Sequence, residues 1–173
     1  MQIIEVIRHN PQWRVEFKAE SIHIAAALGE NVMAINHIGS TAIPDIYSKP
    51  VIDILVEVGD ITKVEGCSAA MESLRYEVMG EFGMLGRRYF RKDDQAGNRT
   101  HQIHTFQTGS PDLERHLAFR DYMIAHPEEA QKYSELKRNL AAEHPQNSDG
   151  YMDGKDGFIK EVDIKAAKWR RCQ

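Results

Sequence analysis

The pattern of apolar and polar positions begins with a helix. Apolar residues recur at helical spacing between Trp13 and Leu28. The pair Asn10-Pro11 is typical of a helix start, with Asn as the cap and Pro in the first turn, and Gly29 is typical of a helix end. We therefore predict that the first regular element is a helix that ends at Gly29.

Strands follow this helix. Two runs rich in β-branched residues, 32–38 and 51–58, are bounded by turn residues and predict strands joined by a loop or short helix over 39–50. A helix over about 62–74 comes next. Further strand-like runs lie at 76–79, 88–91 and 102–107, so the strands should form a mixed sheet.

The last third of the chain has the pattern of helices. Its apolar residues recur at helical spacing, which is more typical of a core face than of a cofactor site. Arg115, Arg120 and Lys137 are the basic residues here that could reach a cleft, although a structural role is the stronger interpretation. A polar loop is expected over 145–150. The predicted helices span 111–125, 127–143 and about 151–171.

Together these elements predict an α/β, or α+β, fold in which helices flank a mixed sheet of about five strands and helices form the C-terminal third. The chain has 173 residues, of which 42% are hydrophobic. That length suits one sizeable core better than two, so we expect a single domain over residues 1–173.

Composition narrows the choice of partners. The net charge of −4 argues against a surface devoted to nucleic acid, so any anion site should be local. Cys67 and Cys172 are far apart in sequence and predict neither a disulfide framework nor a zinc cluster. The N-terminal residues resemble neither a signal peptide nor a membrane span, so we expect a cytoplasmic protein without membrane attachment. The composition indicates no particular protein partner.

A short polar turn follows the first predicted strand. Gly39 allows a tight turn, in which backbone N–H groups and the hydroxyls of Ser40 and Thr41 can face a phosphate. Glycine-serine turns are also common without any ligand, so the turn alone leaves both interpretations open.

The next predicted strand carries a carboxylate in an apolar run. Burial of Asp53 is unfavourable unless it is paired or bound to a metal, so a salt bridge to Lys49 or to an arginine is the structural alternative to a Mg²⁺ site. Nucleotidyltransferases have a glycine-serine turn followed by two acidic residues at alternate strand positions, which hold Mg²⁺. Here the second position is Leu55, and Glu57 lies roughly 13 Å from Asp53. Asp53 should therefore bind Mg²⁺ mainly together with a phosphorylated ligand.

A basic segment and two histidines follow the carboxylate strand. Arg88 and His104 belong to neighbouring strand-like runs, and both are candidates for the pocket that contains Asp53, with a polyanion as the ligand. The alternative is a solvated charged face around a hairpin loop. His104 is a candidate for acid–base chemistry, for ligand contact or for a structural role in the core.

The sequence resembles the GrpB family of nucleotidyltransferase-fold proteins. Blocks in a fixed order carry the resemblance over nearly the whole chain. They are Asn10-Pro-Gln-Trp13, His37-Ile-Gly-Ser-Thr-Ala-Ile-Pro44, Lys49-Pro-Val-Ile-Asp-Ile-Leu-Val56, Gly86-Arg-Arg-Tyr-Phe-Arg-Lys92, Thr100-His-Gln-Ile-His104 and His116-Leu-Ala-Phe-Arg-Asp-Tyr122.

The resemblance implies a nucleotidyltransferase-like fold, with Gly39 and Ser40 at the family's turn and Asp53 at its acidic position. A related domain fused to dephospho-coenzyme A kinase in some bacterial proteins points to nucleotide or coenzyme metabolism. Fold transfers between relatives more safely than function does. The recurrent polar positions of the family correspond to Lys49, Arg88 and His104.

Two functions follow from these residues. The first is an enzyme that transfers a nucleotidyl or phosphoryl group, with Asp53 on Mg²⁺, phosphates at the Gly39 turn, Lys49 and Arg88 neutralising charge, and His104 positioning or deprotonating the acceptor. The second is a module that binds a nucleotide or phosphorylated metabolite without turnover, which the substitution at the second acidic position favours. A structural protein with a relict pocket is the least favoured class.

Overall fold

The fold is known from a computed structural model that describes residues 3–173. Three 3₁₀ segments, Gly29–Asn31, Ser40–Ala42 and Ile61–Cys67, connect the longer elements. The helices are α1 (Gln12–Leu28), α2 (Ser68–Ser73), α3 (Pro111–Ala125), α4 (Pro127–Glu143) and α5 (Ser148–Arg171), and the strands are β1 (Val32–Ile38), β2 (Ile52–Val58), β3 (Glu77–Val78), β4 (Arg88–Asp93) and β5 (Arg99–Gln107).

The predicted α/β class with a mixed five-stranded sheet and a helical last third is confirmed. The strand order, which the sequence left open, is β1-β2-β5-β4-β3. Strand β2 runs parallel to β5 and antiparallel to β1, and the other neighbouring pairs are antiparallel. The edge strand β1 therefore lies beside β2. Because these two strands are antiparallel, the turn after β1 lies next to the start of β2.

Two layers of helix cover the sheet. On one face, Trp13, Ile24 and Leu28 of α1 pack with Ile54 and Ile103 from the two central strands. On the opposite face, a smaller cluster joins the sheet to α3 through a few residues, which are Ile38, Leu55, Phe106 and Leu113. Because successive strand residues point to opposite faces, Asp53 and Leu55 project toward the α3 side.

The C-terminal helices form a third apolar cluster that also contains the loop after β1. Ile43 and Ile46 of that loop pack against Met123 of α3, Tyr133 of α4 and Val162 of α5. All five side chains are at most 4% exposed. The helices thus fix the segment between β1 and β2, and they reach the end of the sheet where Asp53 lies.

Several predicted boundaries are wrong, among them the start of β5, which is Arg99 and not residue 102. The helix expected over 62–74 is split into the 3₁₀ segment Ile61–Cys67 and the short helix α2. Helix α5 begins at Ser148, inside the loop that was expected over 145–150, because the Asn147 side chain accepts a hydrogen bond from the Gly150 amide at 3.0 Å. Three glycines in α5 made its first turns resemble a loop.

Within residues 3–173, no helix combines the length and the apolar composition that crossing a bilayer requires.

Candidate functional site

The turn after β1 lies directly against the Asp53 carboxylate. Ile38 pairs with Asp53 across the antiparallel strands, so the chain turns at Gly39 beside that side chain. A Cβ atom at Gly39 would lie 2.6 Å from Asp53 Oδ2, and the residue has a φ of +73°. The structure therefore brings Gly39 and Asp53 together as the sequence predicted, and glycine is required both by the backbone conformation and by the close approach.

The two hydroxyl residues of the turn have different surroundings. Ser40 lines the same cleft as Asp53. Thr41 is only 2% exposed, and its Oγ1 lies 2.8 Å from His37 Nε2 inside the protein. Burial lowers the pKa of His37 to about 4, so this histidine is neutral at pH 7. The Thr41 hydroxyl thus stabilises the turn from within, and its expected contact with a phosphate is not what the structure shows.

His104 lies beside Asp53 and is itself held by an arginine. His104 Nε2 is 3.4 Å from Asp53 Oδ1, and Nδ1 is 3.4 Å from Arg87 Nη1. A guanidinium only donates, so Nδ1 is placed to accept from Arg87 and Nε2–H is placed to donate to Asp53. His116 stacks on this ring at 5.6 Å, and burial lowers the pKa of His116 to about 3. The geometry makes His104 a residue that orients the Asp53 carboxylate.

Arg88 does not lie in the cleft, which corrects the prediction for this residue. In the β4–β5 ladder Tyr89 pairs with His104 and Arg88 pairs with Thr105, so Arg88 projects from the opposite face of the sheet. There its guanidinium Nε forms an ion pair with Glu65. The preceding residue, Arg87, does reach the Asp53 side, where its guanidinium contacts His104.

The second acidic position of nucleotidyltransferases is closed in this protein. Leu55 is 1% exposed and packs with Phe106 and Leu113 beneath α3. Glu57, two residues further along β2, accepts a hydrogen bond from the Thr108 hydroxyl at 2.8 Å at the far end of the strand. Asp53, with a side chain 27% exposed, is therefore the carboxylate of β2 that a ligand can reach.

Asp53 opens into a large cleft that is lined by the N-terminal segment, α1, the start of β2, the β4–β5 hairpin and the helices α4 and α5. The cleft has a volume of about 1350 Å³. Its wall near Asp53 combines a hydroxyl, an aromatic ring and three ammonium groups. The residues that define this part of the cleft are Ser40, Lys49, Asp53, Lys137, Tyr151 and Lys155.

Lys137 has the most unusual surroundings in this cleft. It is 1% exposed, and its Nζ has no hydrogen-bond partner among the described residues. The ammonium lies over the ring of Tyr133, 4.4 Å from the centroid. Burial, with a smaller effect of Lys155, lowers the pKa of Lys137 to about 6. A lysine amine without a partner in a buried position is typical of functional sites.

Lys155 and Lys49 lie against one aromatic ring. Their Nζ atoms are 4.7 and 4.3 Å from the centroid of Tyr151. Burial lowers the pKa of Lys155 to about 8, with a further lowering by Lys49, and burial also lowers the pKa of Lys49. The structural alternative for Asp53, a salt bridge to Lys49 or an arginine, is absent among the described residues, although the carboxylate partly offsets the effect of burial on both lysines.

The sequence reasoning missed part of this cluster. It named Lys137 only as a secondary candidate and did not name Tyr151 or Lys155. Arg115 and Arg120, its other candidates, are engaged elsewhere: Arg115 lies 3.3 Å from Asp112, and Arg120 donates to the His37 carbonyl. One signal was available, because Lys137 falls on the buried face of α4 in register with the apolar residues Ala130, Tyr133 and Leu140.

The described residues do not form a complete magnesium site. No group of three His, Cys, Asp or Glu side chains within residues 3–173 is placed to hold a metal. Mg²⁺ prefers six oxygen ligands, and Asp53 offers one carboxylate in a cleft that also contains three lysines. Any magnesium bound here would need most of its oxygens from water and from a ligand.

The sequence comparison gives the relationships of this chain. The profile of the GrpB protein family matches residues 3–165. This chain belongs to the GrpB family. It is 43% identical over 169 residues to the UPF0157 protein YqkA of Bacillus subtilis, with 97% of this chain and 48% of YqkA aligned. The chain thus spans about half the length of that relative.

Solved structures support the same family and define the fold more broadly. A crystal structure of the conserved protein GrpB from Enterococcus faecalis matches with a TM-score of 0.92 and 41% identity, over 96% of this chain and 99% of that one. Terminal uridylyl transferase 4 from Trypanosoma brucei with bound dUTP matches with a TM-score of 0.56 and 12% identity, over 95% of this chain and 56% of that one. The nucleotidyltransferase-like fold predicted for this GrpB protein is therefore confirmed.

Proposed function

We propose that this GrpB protein binds a nucleotide or another phosphorylated small molecule in the cleft beside Asp53. The observation that carries the proposal is the contact of the Gly39 turn with the Asp53 carboxylate, at the start of a central strand of a nucleotidyltransferase-like sheet. The neighbour with this fold holds dUTP. Backbone N–H groups at the turn and the Ser40 hydroxyl are suitable donors to phosphate oxygens.

The enzymatic form of this proposal is transfer of a nucleotidyl group to a small acceptor. An acceptor hydroxyl oxygen attacks the α-phosphorus, the bond to the pyrophosphate oxygen breaks, and the hydroxyl proton passes to Asp53. His104 holds Asp53 in orientation through its Nε2–H. Mg²⁺ belongs to the proposal only as an ion that arrives with the phosphates, because the wall of the cleft near the Gly39 turn offers it the single carboxylate of Asp53.

A binding module without turnover is the second candidate. The burial of Leu55 favours it, because the second metal-binding carboxylate of nucleotidyltransferases is replaced by a core residue. The two candidates share the same ligand site and differ only in whether the bound nucleotide is consumed. Product formation therefore separates them.

A ligand screen by thermal unfolding tests the shared site. Nucleotides and phosphorylated metabolites, each with and without Mg²⁺, should include at least one compound that raises the melting temperature by about 5 °C at a hundredfold excess over its Kd. Its dephosphorylated counterpart should have no such effect, because the contacts at the turn are with phosphate. If no phosphorylated compound stabilises the protein under any condition, the proposed function is wrong.

Asp53→Asn separates catalysis from binding. The amide retains the shape of the side chain but cannot accept a proton, so we expect turnover of a bound nucleotide to fall by about 100-fold or more while the shift in melting temperature persists. Asp156→Asn, on the exposed side of α5, is the matched control. Turnover that is equal in both variants would contradict the catalytic role of Asp53, and an absence of turnover in the unmodified protein would favour the binding module.

A further inference from the structure

Three lysines from three parts of the chain meet in the cleft without a carboxylate partner. Lys49 lies in the loop before β2, Lys137 in α4 and Lys155 in α5. Within residues 3–173, none of the three side chains forms an ion pair, whereas most other basic residues around the sheet do. The part of the cleft around Asp53 therefore has three lysines against one carboxylate.

Lys155 interacts with both of the other lysines. Lys49 and Lys155 lie against the same Tyr151 ring, and the charge of Lys49 acts on Lys155. The charge of Lys155 in turn acts on Lys137, which lies over a different ring, that of Tyr133. The three lysines thus line one cleft and lie over two neighbouring aromatic residues of its wall, so a ligand with more than one phosphate could contact several of them.

Keeping these ammonium groups together is unfavourable unless an anion is bound. Burial disfavours their charged forms, Lys155 adds repulsion at Lys137 and Lys49 adds repulsion at Lys155, and the Asp53 carboxylate offsets only part of this effect. The buried Lys137 amine has no hydrogen-bond partner among the described residues. This lysine also lines the cleft. A structural lysine would instead be paired or extend to the solvent.

The same charges disfavour a metal-centred site. In the two-metal arrangement, Mg²⁺ ions on two carboxylates neutralise the phosphates. Here Leu55 fills one of those carboxylate positions, and ammonium groups line the wall near Asp53. Lysine ammonium groups can stabilise phosphate charge directly, as point charges with three donors each.

We propose that Lys49, Lys137 and Lys155 bind the polyphosphate chain of the ligand directly, so that this cleft accepts an anion of two or more linked phosphates without a divalent cation. This inference rests on the proposed function, because both place the ligand in the cleft beside Asp53. It specifies the substrate class as a nucleoside diphosphate, a nucleoside triphosphate or another polyphosphate, and it assigns charge neutralisation to side chains.

Isothermal titration calorimetry with inorganic triphosphate in EDTA tests this proposal. The unmodified protein should bind the probe in EDTA, and excess Mg²⁺ should weaken the apparent affinity because the ion competes for the probe. Lys137→Met and Lys155→Met should each weaken binding by about tenfold or more. Lys168→Met removes the same charge from an exposed position of α5 and should change affinity less than about twofold. Lys155 is only half-buried, so its variant keeps the test valid if Lys137→Met folds poorly.

The outcomes distinguish this proposal from the proposed function. Binding of triphosphate or nucleotide only in the presence of Mg²⁺, or equal affinities in the lysine variants and the Lys168→Met control, would overturn the lysine site and leave nucleotide binding intact. Triphosphate binding in EDTA that no nucleotide or phosphorylated metabolite displaces would leave the lysine site and overturn the proposed function. The absence of binding by any of these compounds would overturn both.

Discussion

Lys137→Met should make the protein more stable at pH 7 while it weakens the binding of polyphosphate. The unfolded chain holds this lysine charged in water, whereas the folded protein buries it at 1% exposure without a hydrogen-bond partner among the described residues. Methionine has a similar length and no charge to desolvate. We expect the free energy of unfolding at pH 7 to rise by on the order of 3 kcal/mol.

The gain should depend on pH in a defined direction. Burial lowers the pKa of Lys137 to about 6 in the folded state, well below the ordinary value near 10.5 that applies to the unfolded chain. Between these two values the unfolded state binds more protons, so the contribution of Lys137 to stability rises with pH. The advantage of the Lys137→Met variant should therefore shrink by about 1.4 kcal/mol per pH unit, so that most of it is lost between pH 7 and pH 9.

Urea unfolding of both proteins at pH 6, 7, 8 and 9 measures this difference. Lys132→Met, an exposed change on the same helix, is the control and should alter stability by less than about 0.5 kcal/mol. A Lys137→Met variant that is less stable than the unmodified protein at pH 7 would show that the amine has a favourable partner in solution. A variant that is both more stable and defective in binding would identify Lys137 as a residue kept for function.

Most of the fold could be predicted from local sequence signals. Strands β1 and β2 were predicted within one residue of their bounds, because runs of β-branched residues end at clear turn residues. Helices α3 and α4 were predicted at their observed bounds, because Pro111 and Pro127 mark their first turns. Strand order could not be predicted in the same way, since it depends on long-range packing that no local pattern encodes.

The candidate site likewise contains residues that local sequence signals place together and residues that only long-range packing brings together. Gly39, Ser40 and Asp53 are close in sequence and belong to one strand-turn-strand unit, so local reasoning placed them together. The three lysines of the cleft belong to a loop and to two C-terminal helices. Only the packing of those helices against the loop places the lysines near Asp53. Arg88 was assigned to the wrong face because strand alternation gives the face only when the register is known.

Gly39→Ala should destabilise the protein more than the same change at a glycine with equivalent backbone geometry. Gly39 has φ +73° and ψ −172°, a region open almost only to glycine, and a Cβ there would lie 2.6 Å from Asp53 Oδ2. Gly29, at the end of α1, has φ +69° and ψ −150°, and a Cβ there would have no atom within 4 Å apart from its chain neighbours. The two variants therefore share the backbone strain and differ in the clash with Asp53.

We expect Gly29→Ala to lower the free energy of unfolding by about 2 kcal/mol and Gly39→Ala to lower it by about 4 kcal/mol, because the second variant must also displace a strand residue or the turn. Urea unfolding measures both values, and the ligand screen on the folded fraction measures binding. Gly39→Ala should lose the response to phosphorylated ligands, since the turn and Asp53 can no longer keep their contact, whereas Gly29→Ala should retain it.

The double variant Gly39→Ala/Asp53→Ala removes the clashing carboxylate. It should regain about 1 kcal/mol or more of stability relative to Gly39→Ala if the clash is with that side chain. Equal stability of Gly39→Ala and Gly29→Ala, with ligand response retained in both, would mean that the turn does not depend on its contact with Asp53 and would remove the observation on which the proposed site depends.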